Sequence, residues 1–146
     1  MSSIALQISD SPTPEERDFV FQQLGAFNES KAGPAEGRDL AVVARRDGEI
    51  VGAAIGATYF RWLFVRFLWV AETERGSGLG SRLLGTAEEQ ARARGCQHAH
   101  LDTFSFQALP FYQKHGYTIF GQLEDYPVGH TRYFLQKRNL STHPII

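Results

Sequence analysis

A single cysteine, Cys96, stands in 146 residues. One thiol cannot close a disulfide within the chain, so a disulfide-stapled scaffold is excluded and a reducing cytoplasm is expected. The opening, "MSSIALQISDSPTPEERDF", lacks the basic segment and apolar run of a secretory signal. The most apolar stretch, Trp62 to Ala71, carries Arg66 and is far too short to span a bilayer. No membrane partner is expected. A basic excess is missing as well: 15 Lys+Arg stand against 16 Asp+Glu, a net charge of -1. A nucleic-acid binder normally clusters its cations, so no nucleic-acid partner is expected either. No repeat or low-complexity tract interrupts the chain. Its length suits one domain, 1–146, with a core over residues 3–138 and a loose tail from 139 to 146.

Hydrophobic spacing and turn chemistry divide the chain into elements. Ile4 to Ile8 alternates apolar with other residues and predicts a first strand. Thr13, Pro14 and Glu16 form a capping box that opens a helix with Phe19, Val20, Leu24 and Phe27 along one stripe. "NESKAGPAEGRD" reads as a polar loop. Asp47-Gly48 is a two-residue hairpin turn between two β-rich arms, and a second turn near Phe60-Arg61 leads into a strand from Trp62 to Val70. A helix follows from about Leu79 to Arg94, with Leu79, Leu83, Leu84, Ala87 and Ala91 facing the core, Glu88 paired to Arg92, and Gly95 ending it. "HAHLDTF" is a strand, "FQALPFYQKHG" a short helix, and "YTIFGQL" and "TRYFLQK" two last strands. The fold class is α/β (α+β): a mixed, mostly antiparallel sheet of six to seven strands with helices on both faces.

Glycines concentrate where the buried strand meets the central helix, in Arg75-Gly76-Ser77-Gly78-Leu79-Gly80. Unpaired N–H groups and the positive end of the helix dipole make such a place an anion cradle suited to a pyrophosphate. A P-loop would need Gly-Lys-Ser/Thr there, and no lysine lies near. A dinucleotide fingerprint would need Gly or Ala where Ser81 stands, and it would open a βαβ unit, which an antiparallel stretch does not.

With "LWVAETERGSGLGSRLL" and, at the right spacing, "ALPFYQKHGYTIFG", the chain resembles a GNAT-superfamily N-acetyltransferase. The resemblance implies acetyl-CoA as cosubstrate. Leu68, Trp69 and Val70, on a strand splayed at a bulge, would pair with its pantetheine arm. The amides of Arg75, Gly76, Ser77, Gly78, Leu79 and Gly80 would hold the pyrophosphate, with Ser81 at the helix start and a backbone N–H around Val70 polarising the acetyl carbonyl. Tyr112 would be catalytic, giving its proton to the departing CoA thiolate. The family often has asparagine where Ser105 stands, at a contact with the CoA arm. It often has a glutamate base where Arg66 stands, so Asp102, Glu124, Asp125, His130 or water would take the amine proton. His98 and His100 alternate with Asp102 without further clustered ligands, and no metal is expected.

The resemblance also implies that the amine enters opposite CoA, between walls from Phe27–Gly37, Tyr59–Trp62 and Glu124–His130. "ATYFRW" and "LEDYPVGH" supply aromatic rings and carboxylates suited to a cationic or aromatic small-molecule amine. A protein or peptide acceptor and a non-catalytic acyl-CoA-binding module are the alternatives. A homodimer could form through an exposed final strand.

Overall fold

The computed structural model describes residues 2–140. The chain divides into two compact units, one through Ala35 and one from Glu36 onward.

The first unit contains helix α1, Pro14–Ala32. Its capping box is present: Thr13 Oγ1 accepts from the Glu16 N–H at 3.0 Å, and Glu16 Oε1 accepts from the Thr13 N–H at 2.8 Å. The helix runs into the first part of the expected polar loop, as far as Ala32, because Asn28 to Ala32 hold no breaker and the first one is Gly33. The strand expected at Ile4–Ile8 does not form, and these residues enter no ladder. Alternation says which side chains share a face, but it cannot supply a strand to pair with.

The second unit is a six-stranded mixed sheet, mostly antiparallel, of order β1-β2-β3-β4-β6-β5. The strands are β1 Arg38–Arg46, β2 Glu49–Tyr59, β3 Trp62–Val70, β4 His98–Phe104, β5 Thr118–Glu124 and β6 Thr131–Lys137. Both hairpin turns fall where expected. Asp47 and Gly48 have φ of 52° and 83°, and Phe60 and Arg61 have 49° and 62°, the left-handed pair that matches strand twist. β3 and β4 are parallel neighbours joined through helix α2, Leu79–Ala93. The last strand, β6, lies between β4 and β5. It is therefore no free edge, correcting the expected dimerisation strand; the edges are β1 and β5.

Leu83, Leu84, Ala87 and Ala91 of α2 are buried against Leu63, Val65, Ala99, Leu101 and Leu135, with Leu79 half-buried beside them. Glu88 does not pair with Arg92. It is buried on this face, where Tyr117 Oη donates to Oε2 at 2.7 Å and Lys137 Nζ to Oε1 at 2.9 Å. Paired donors from two other elements satisfy a charge the core would otherwise reject. The tail is not loose at its start: Leu140 is fully buried and its N–H donates to the Gln97 carbonyl at 2.7 Å. The remaining tail residues lie outside the described residues. No helix among the described residues is long and apolar enough to cross a membrane.

Candidate active site

The β3–β4 ladder is short. It pairs Trp62 with His98 and ends at Val65 with Leu101, although β3 continues to Val70 and β4 to Phe104. The two strands diverge beyond that point. Leu68, Trp69 and Val70 pair with β2 on one side and have no ladder partner on the β4 side. The bulge that bends β3 falls at Arg66, which the β2 register skips between Val65 and Phe67. This places it four residues before Val70. Opposite it stands Gly56, where a side chain has no room: a Cβ would lie 1.8 Å from the Phe64 carbonyl oxygen.

The glycine loop follows at the open end of β3. A short 3-10 turn, Glu72–Glu74, precedes it, and Gly76 and Gly78 take φ of 81° and 85°. These are left-handed conformations in which a Cβ is strained. In front of both glycines there is open space, and the N–H groups of Gly76, Ser77 and Gly78 have no partner among the described residues. The side chains turn away from that space. Arg75 Nε donates to the Val70 carbonyl at 3.3 Å, and Ser77 Oγ donates to the Glu74 carbonyl. A cradle of free amides at a helix N-terminus fits a diphosphate. Beside it, Arg45, Arg46, Arg82 and Glu74 line an open cleft of about 370 Å³. Arg46 is spent in a two-pronged pair with Glu74, which lifts its own pKa and lowers that of the carboxyl. Ser81, in the first turn of α2, meets His115 Nε2 at 2.9 Å. Burial lowers the pKa of that imidazole, with Glu88 opposing and two nearby lysines assisting.

Tyr112 lies on the short helix α3, Leu109–Lys114. Pro110 sits in its first turn, where a missing N–H costs nothing. The Tyr112 ring packs in the core on the α2 face, 5.3 Å from Phe111 and 6.1 Å from Tyr117. Burial, and secondarily the Asp102 charge, pushes its pKa up to about 12. A phenol so placed stays protonated at neutral pH.

Asp102 is on the opposite face of β4, since Leu101 and Thr103 point into the core and Asp102 and Phe104 alternate with them. Its Oδ1 takes two donors of Arg132: Nε at 3.0 Å and Nη2 at 2.8 Å. The sequence reading missed Arg132, because only the insertion of β6 beside β4 sets it opposite Phe104. Ser105 is held by the start of β6. Its N–H donates to the Thr131 carbonyl at 2.8 Å, and its Oγ accepts the Thr131 N–H at 3.1 Å and lies 3.3 Å from His130 Nδ1. Glu124 and Asp125 are exposed.

The loop containing Glu124–His130 thus borders the opening. The turn at Phe60-Arg61 does not: it lies at the far end of β3, about 13 Å along the strand from the last β3–β4 pair. There Trp62 packs against His98 and His100, and the Asn139 N–H donates to His98 Nδ1 at 3.0 Å. No group of three His, Cys, Asp or Glu among the described residues is arranged to hold a metal ion.

Residues 5–117 match the acetyltransferase (GNAT) family. An acetyltransferase of Agrobacterium fabrum is 36% identical over 132 residues, 90% of this chain and 96% of that protein. The blasticidin-S acetyltransferase of Streptomyces morookaense is 44% identical over 91 residues, 62% of this chain and 67% of that one. The crystal structure of an acetyltransferase from Bacillus cereus superposes with a TM-score of 0.80 at 36% identity, covering 90% of this chain and 97% of that one. With the divergent strands, the glycine cradle and these relatives in agreement, the chain belongs to the GNAT family and is an acyl-CoA-dependent acetyltransferase.

Proposed function

We propose that the enzyme moves an acetyl group from acetyl-CoA to the primary amine of a small molecule by direct attack, with both substrates bound together. The observation that carries this reading is the early end of the β3–β4 ladder, with the free amides of the glycine loop at its mouth and Tyr112 on the core side. The amides from Gly76 to Gly80 and the Ser81 hydroxyl bind the diphosphate, while the Arg75 N–H is held by the Glu72 carbonyl at 3.3 Å. The unpaired edge of Leu68, Trp69 and Val70 takes the pantetheine arm as an added strand. Backbone N–H groups on this stretch of β3 steady the thioester oxygen as charge builds on it.

The amine nitrogen attacks the carbonyl carbon; the C–N bond forms and the C–S bond breaks. The departing thiolate takes the phenolic proton of Tyr112, and the new amide loses its extra proton to Asp102 Oδ2, directly or through water. That oxygen is left free while Oδ1 is held by Arg132. A small acceptor is supported by the likeness to the blasticidin-S enzyme. A cytoplasmic setting goes with the lone, buried, unpaired Cys96.

The test is release of free CoA thiol from acetyl-CoA on incubation with a panel of primary amines. Amine-dependent release that collapses in Tyr112→Phe and Asp102→Asn supports the assignment. Release at the same rate with no amine present overturns it.

A further inference from the structure

The open face of β4 carries more than Asp102. Phe104, two residues on, stacks almost parallel with Phe106, their centroids 5.2 Å apart and planes 8° from each other. Tyr126 lies 5.7 Å from Phe104, and His130 stands edge-on to Phe106 at 5.0 Å. Three segments meet here: the end of β4, the loop after it, and the loop before β6. The paired Ser105–Thr131 hydrogen bonds hold them together, so the wall is built before any ligand arrives. Its outer rings remain available, Phe106 at 56% and Tyr126 at 43% exposure.

Arg132 sits behind the wall, its guanidinium carbon 5.5 Å from the Phe104 ring and 4.9 Å from that of Tyr126. It donates to Tyr126 Oη at 2.8 Å. Its charge offsets that of Asp102, so the pair attracts neither cations nor anions strongly. Away from the exposed carboxylates of Glu124 and Asp125, the wall itself turns flat aromatic surface to solvent, with one phenol whose oxygen is already an acceptor and whose O–H is free to donate.

From this we infer that the acceptor amine is borne on a planar, hydrogen-bond-accepting ring, which stacks on Phe106 and accepts a hydrogen bond from the Tyr126 hydroxyl. The inference rests on the transfer reaction above and narrows its acceptor class. Phe104 lies three residues past the last β3–β4 pair, on the face opposite the buried Tyr112. A ring on this wall therefore presents a short amine-bearing arm to the breach between the strands. Stacking of a planar ring on an aromatic side chain is sequence-tolerant and does not need a closed pocket.

The experiment compares kcat/KM for 2-(aminomethyl)pyridine and 3-(2-aminoethyl)pyridine, whose ring nitrogens accept hydrogen bonds, with that for n-butylamine and putrescine, in the wild-type enzyme and in Phe106→Ala and Phe106→Trp. The ring-bearing series is expected to be favoured at least tenfold. Phe106→Ala should reduce that preference about tenfold and Phe106→Trp should restore it. Equal use of both series, or a preference that Phe106→Ala leaves intact, overturns the inference while the transfer reaction stands. If neither series is acetylated although acetyl-CoA binds, the small-amine reading fails and this inference fails with it.

Discussion

Tyr112 is deeply buried, and the same burial holds its phenol in the protonated form that the proposed transfer requires. Burial raises its pKa from 10.0 to about 12, so the neutral phenol is the form the fold favours. The stability this contributes is complete below pH 10 and is lost as pH rises from 10 to about 12. A difference titration of phenolate absorbance, wild type minus Tyr112→Phe, should therefore show an ionisation well above 10; a midpoint near 10 would mean that the ring is solvated. Tyr112→Phe should lower kcat by about a hundredfold while KM for acetyl-CoA changes little. Steady-state kinetics decide this, and a change confined to KM would assign the ring to packing. The motif around this tyrosine is dense enough in the sequence to single it out as the candidate acid. Asp102 was legible only as one candidate among several, since its partner Arg132 is thirty residues away.

At the scale of elements, local signals were strong where the backbone itself demanded a residue type. Asp47-Gly48 and Phe60-Arg61 occupy the positive φ values their turns require, and α2 buries the stripe its spacing marked out. The failures were of pairing. Ile4–Ile8 alternates like a strand and makes none, and Glu88 was matched with Arg92 by helical spacing, whereas the fold gives it Tyr117 and Lys137. Two stability predictions belong here. Gly56→Ala would drive a methyl into the Phe64 carbonyl at the β3 bulge and should cost about 3 kcal/mol in denaturant unfolding. Glu88→Ala would leave the Lys137 ammonium and the Tyr117 hydroxyl without their carboxylate and should cost about 3 kcal/mol as well. A loss under 1 kcal/mol in either variant would show that the neighbours relax cheaply.

Across the molecule, the decisive fact is the order of the strands. Local sequence says that β5 and β6 follow one another, but not that β6 inserts beside β4 and carries Arg132 to Asp102. The same topology ends with Leu140 driven into the core beside α2, where Arg92 Nη1 donates to its carbonyl at 3.3 Å. Leu140→Ala should cost about 3 kcal/mol and lower Tm by roughly 9 °C, read by calorimetry, although the site is far from the chemistry. An unchanged Tm would mean that the chain end contributes no packing.

The breach between β3 and β4 puts the buried phenol and the aromatic wall on opposite faces of one sheet. A bisubstrate inhibitor, with the coenzyme arm tethered to an amine-bearing head, would have to thread that slit, so its tether should tolerate no branching at the carbons that span it.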